Sequence, residues 1–136
     1  MNSALYTTRD YLESDKNFIF ASWLRGLYYG NSLFREMNKD VFMSNYHKVI
    51  EQILALDSTK IKVACLEEDP EVILGYAVLG GPTRLHWVFV KSHWRGILIA
   101  ESLIPPTVDT VTHITKSGLS LLRKHPNVQF NPFALS

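Results

Sequence analysis

The sequence predicts a mixed α+β domain with a central, mostly antiparallel sheet flanked by helices. Three observations predict it. Residues 61–90 hold three runs rich in β-branched and aromatic residues, separated only by short turns. Two stretches of helical periodicity precede them, and helix and strand alternate after them. Hydrophobic residues make up 46% of 136 residues and charged ones 20%, enough for one core without disulfide support. The whole chain, 1–136, therefore reads as a single domain.

Ala4 to Thr8 is a short first strand. Ser14 is placed to cap a strongly apolar helix from Phe18 to Leu27, which Gly26 and Gly30 punctuate at its end. A second helix starts at Asn38, because Phe42, Tyr46, Val49, Ile50 and Ile53 fall on one helical face. Ile61, Val63 and Cys65 then alternate with Lys62 and Ala64 as a half-buried strand. The acidic turn Glu67–Glu71 joins it to the fully apolar strand Val72–Leu79, and Gly80-Gly81-Pro82-Thr83 turns the chain into a third strand, Leu85–Val90. A helix follows from Ile97 and must stop at Pro105-Pro106, where the rings remove donors and block the helical path. Alternation predicts a strand over Val108–Ile114, a short helix over Ser117–Lys124 and a last strand over Val128–Phe130.

A net charge of +1 gives no overall field toward nucleic acid or membrane. No apolar run approaches the roughly 18 residues of a membrane span, and the first nine residues lack a signal-peptide core. The single cysteine, Cys65, excludes an internal disulfide and fits a reducing compartment, so the expectation is a soluble cytoplasmic protein, host-cytoplasmic if virus-encoded. The histidines show no metal-ligand spacing, and no metal is expected.

The stretch around which the rest is organised is Leu85 to Ile104: strand, basic turn, helix. Lys91, Arg95 and Gly96 lie in the turn, where the first helical amides have no partner within the helix. Amides and cations there can face a diphosphate together. The run Arg95-Gly96-Ile97-Leu98-Ile99-Ala100, preceded by Val90, resembles the coenzyme-A motif of the GCN5-related N-acetyltransferases. Arg95 and Ala100 match its ends, and Leu98 stands where the family usually has a central glycine. The element order also resembles that family over essentially the whole chain, and the expectation is a small, phage-encoded member.

The resemblance implies an acyl-CoA N-acyltransferase fold and transfer of acetyl from acetyl-CoA to an amine by direct attack in a ternary complex. It implies that Leu85–Val90 splays from the next strand, with the cofactor held along Val88 and Val90, by Lys91 and Arg95, and by Gly96, Ile97, Leu98, Ile99 and Ala100. A backbone amide near Val88 would polarise the thioester carbonyl. Candidate bases are His86, whose ordinary pKa suits the role, and Asp109 and His113 on the partner strand. The helix after that strand lacks the family's tyrosine, which leaves the acid role to Ser117, Tyr76 or water. Trp23, Tyr28 and Tyr29, with Phe34, lie at the connection that lines the acceptor site in the family. They are equally readable as cover for the core.

The acceptor that the resemblance implies is an amine on a small molecule or protein. Alternatives are a degenerate binding or inhibitory module of the same fold, suggested by Leu98 and the missing tyrosine, and a nucleic-acid-modifying enzyme using Lys91, Arg95, Arg123 and Lys124. Apolar Phe130, Phe133 and Leu135 leave room for a homodimer.

Overall fold

The computed structural model describes residues 5–95 and 99–135. Among these residues six strands form one sheet in the order β1 to β6. They are β1 (Tyr6–Asp10), β2 (Thr59–Leu66), β3 (Ile73–Gly80), β4 (Arg84–Val90), β5 (Thr110–Val111) and β6 (Gln129–Phe130). The helices are α1 (Lys16–Tyr29), α2 (Lys39–Ala55), α3 (Ile99–Leu103) and α4 (Lys116–Leu122). β1 to β4 pair antiparallel, whereas β4–β5 and β5–β6 are parallel.

α1 begins one residue later than a Ser14 cap would place it. Ser14 lies inside a 3-10 turn, Glu13–Asp15, and the Asp15 carboxylate takes the Leu12 amide at 2.8 Å instead. That carboxylate also receives both arms of the Arg9 guanidinium at 2.8 and 2.9 Å, which ties β1 to the start of α1. α2 starts as its sequence predicts: the Asn38 side chain accepts the Val41 amide at 3.1 Å. In the β3–β4 turn, Gly81 has φ +72°, a conformation that glycine adopts without Cβ strain.

Every residue of β3 is buried, because helices cover both faces of the sheet. On one face α1 and α2 pack an aromatic-rich core of Ile19, Trp23, Leu27, Phe42, Ile50, Ile53, Tyr76 and Trp87. The other face is aliphatic, with Leu74, Leu79, Leu85, Ile99 and Leu103 around α3. Gly26 lets α1 approach the sheet closely: a Cβ there would stand 2.9 Å from the Trp87 ring. Cys65 is a fully buried member of β2. The predicted strand over 108–114 contracts to Thr110–Val111, since only those residues find ladder partners in both β4 and β6.

Candidate functional site

β4 is paired along its length with β3 but only at its start with β5. Arg84 and Leu85 face Thr110 and Val111, and the Thr112 amide reaches the Leu85 carbonyl at 3.1 Å. Beyond that point, among the described residues, no strand pairs with this edge of β4. The strands part where the family resemblance implies a splay.

A β-bulge decides what the open edge presents. Val78 faces Trp87 and Leu79 faces Leu85, so His86 is an extra residue in β4. An extra residue inverts the alternation. Leu85 lies in the aliphatic core, and so do Val88 and Val90, three and five residues on. The backbone follows the same inversion. The Lys91 amide bonds Leu74 of β3 at 2.8 Å, so Val90 and Val88 turn their backbone groups the other way, toward the opening. Consistent with this, the Arg95 Nε donates to the Val90 carbonyl at 2.9 Å. Two cations therefore lie just past the open edge. Arg95 is exposed, and Lys91 is half-buried with its Nζ 5.3 Å from the centre of the Phe18 ring. Gly96, Ile97 and Leu98, three of the predicted cofactor residues, lie outside the described residues. Ile99 is buried at the start of α3, and Ala100 beside it is half-buried.

Two of the three candidate bases meet at the apex of the opening. His86, fully buried, shares a 2.8 Å hydrogen bond from its Nδ1 to the Thr112 hydroxyl, and His113 Nδ1 lies 2.9 Å from the same oxygen. Burial lowers the His86 pKa to about 4, with Arg84 adding to the effect. Burial, then the proximity of His86, also lowers that of His113 to about 4. Both rings are neutral at physiological pH and weakly basic. Asp109 is not brought to them. It is exposed before β5, where its amide bonds Thr83 at 2.8 Å, at the end of β4 away from Val88. Period-two spacing puts Asp109 and His113 on one side of a longer strand, but with β5 only two residues long that alternation does not extend to either.

The aromatic candidates separate by burial. Trp23 is wholly buried and stacked on Trp87, with 5.8 Å between centroids and 6° between planes. Tyr28 is buried against Phe42, whereas Tyr29 is half exposed and receives a hydrogen bond from Lys39 at 3.0 Å. Tyr76 is buried with its hydroxyl on Ser22 at 2.7 Å and on the Ile19 carbonyl at 3.1 Å; burial raises its pKa far above the usual range, which unsuits it as an acid. Ser117 is exposed in the first turn of α4. Sequence reasoning missed Thr112, for a threonine alternating along a strand carries no mark of what its hydroxyl will meet.

No protein-family model and no curated protein matches the sequence. Solved structures do. An aminoglycoside N-acetyltransferase, AAC(6')-Iy in complex with CoA, matches 93% of this chain and 88% of its own with a TM-score of 0.51 at 16% identity. A protein from Pyrococcus furiosus assigned as an acetyl transferase matches 92% of this chain and 78% of its own, with a TM-score of 0.61 at 14% identity. The chain has the GCN5-related N-acetyltransferase fold. A third N-acetyltransferase structure, from Rhodopseudomonas palustris, matches 74% of this chain with a TM-score of 0.50 at 20% identity, and the chain spans 61% of its length. In this N-acetyltransferase fold the open edge of β4 runs from the His86–Thr112–His113 cluster, where β4 meets the end of β5, to the basic turn. No helix among the described residues is long and apolar enough to cross a membrane.

Proposed function

We propose that the protein is an acetyl-CoA-dependent N-acetyltransferase acting on an amine. The reading rests chiefly on the open edge of β4, where the bulge turns the backbone of Val88 and Val90 outward just ahead of Lys91 and Arg95. These residues fit an extended amide-bearing arm that ends in a diphosphate: strand backbone pairs with amides, and the two cations meet the negative charge. Bound there, acetyl-CoA supplies the activated acyl group as a thioester. Val88 and Val90 would hold and orient the arm, with the Val88 amide as the donor toward the reacting carbonyl. Lys91, Arg95 and the amides of Gly96, Ile97, Leu98, Ile99 and Ala100 would take the diphosphate. Tyr29, the exposed aromatic of the first helix connection, is offered to the acceptor, while Trp23 and Tyr28 support that wall from the core. The amine enters as the free base and gives up its proton to water. Ser117 or water serves as the acid.

A second reading, a member of the fold without efficient catalysis, is favoured by one observation. Arg95 already occupies the Val90 carbonyl, one of the groups an incoming arm would use. Calorimetric titration with acetyl-CoA, using desulfo-CoA and ATP as comparisons, separates the two. Saturable binding far stronger than to ATP is expected, and Arg95→Ala weakens it about tenfold through loss of a charge-assisted contact. Absence of binding up to millimolar acetyl-CoA would overturn the enzyme reading and leave the second.

A further inference from the structure

Thr112 has no place in the motif resemblance, yet its hydroxyl is the sole described bridge between two imidazoles at the apex of the opening. It is 2% exposed, and its oxygen lies 2.8 Å from His86 Nδ1 and 2.9 Å from His113 Nδ1. A hydroxyl carries one proton, so it donates to one Nδ1 and accepts from the other. Were both rings donors to it, the hydroxyl proton would be left buried without an acceptor. The two histidines must therefore hold opposite tautomers.

The environment of His86 decides which is which. Its Nε2 is buried and has no hydrogen-bond partner among the described residues. The ring abuts Gly80, where an added Cβ would lie 2.6 Å from that nitrogen. A buried N–H without an acceptor is the rarer and costlier defect, so Nε2 carries the lone pair and Nδ1 the proton. Thr112 then accepts from His86 and donates to His113 Nδ1. With its Nδ1 accepting, the neutral His113 ring carries its one proton on Nε2. His113 thus has its lone pair engaged by Thr112, and the bare lone pair of His86 Nε2 faces Gly80.

We propose that Thr112 is a positioning residue: it locks His86 and His113 in opposite tautomers and so pins the β4 bulge that aims the Val88 backbone at the opening. Neither imidazole acts as the base. This deepens the acetyltransferase reading, and its role toward the reaction rests on that reading. The network itself does not. Without the bulge, Val88 and Val90 would turn their backbone groups to β3 and the aliphatic core would receive the wrong side chains.

Long-range nitrogen–proton NMR of the imidazoles at neutral pH tests the lock on the unliganded protein, independently of catalysis. The expected spectrum shows His86 with its proton on Nδ1 and His113 with its proton on Nε2. Thr112→Ser, which keeps the hydroxyl, retains both signatures, while Thr112→Val loses the opposed pair and shifts the Val88 amide resonance. Should Thr112→Val prove unfolded, the wild-type and Thr112→Ser spectra still decide. Matching tautomers, or a His113 that titrates near 6.5, overturn the proposal. Loss of the opposed pair in Thr112→Ser does so too. If acetyl-CoA does not bind but the tautomers are opposed, the acetyltransferase reading falls and the lock stands as a device of the fold.

Discussion

The two edges of β4 are built to different standards. Toward β3 the strand is paired from Arg84 to Val90, and β3 is buried over its whole length. Toward β5 it is paired at Arg84 and Leu85 alone, and β5 and β6 are two residues each. The contrast teaches where stability and chemistry lie. Large side chains and full ladders hold β1 to β4 against α1 and α2, which leaves the opposite edge free to present backbone to a ligand. Low local stability on that side is the expected companion of the binding edge proposed above.

The sharpest way to break the comparison is in the aromatic core. Trp23→Ala should cost about 4 kcal/mol, since it empties a wholly buried site beneath Trp87. A urea unfolding midpoint that barely moves would show that the stable side lies elsewhere. Next comes pH. His86 and His113 have folded pKa values of about 4 against about 6.5 when unfolded. The unfolded chain thus binds more protons, so their contribution is complete above about 6.5 and is lost as pH falls toward 4. That loss is roughly 3 kcal/mol for one ring and does not simply double, because the rings share Thr112. Unfolding free energies measured at pH 7.5 and 5 should differ in that direction, and a flat profile would contradict buried neutral imidazoles.

Asp15→Ala should cost about 2 kcal/mol by removing the carboxylate that accepts from Arg9 and the Leu12 amide. Arg9 also holds the Asp15 pKa below the usual carboxylate value. The stability that this pair contributes is therefore full above about 4 and lost only at lower pH, below the window of the histidines. Calorimetric melting of the variant across that range checks both points. The smallest effect belongs to the thin side of the sheet: Val111→Ala should cost about 1 kcal/mol or less, with amide protection in β2 and β3 unchanged. A global collapse of protection would mean that β5 is integral to the core.

Much of this fold was legible because its signals are periodic. The face of α2 and the apolar run of β3 follow directly from the order of residues, and so does the basic turn after β4. What escaped was whatever depends on partners far along the chain. A bulge at His86 leaves no local trace, because it is visible only as a mismatch of register with Val78 and Leu79. The length of β5 depends on β4 and β6 finding it, so alternation over seven residues overstated a strand of two. The same limit governed the site. Asp109 and His113 share a periodicity in sequence, but tertiary pairing sends one to the surface and the other to Thr112.

Gly26 and Trp87 carry a consequence for how this chain can change. A methyl group at position 26 would press into the indole, so a larger residue in α1 is tolerated only if position 87 shrinks in the same step. Trp87 adjoins the bulged residue of β4, and shrinking it would loosen the strand on the side that faces α1. The two positions should therefore vary as a pair among descendants of this sequence, and a library that randomises either one alone will return almost only the parental residue.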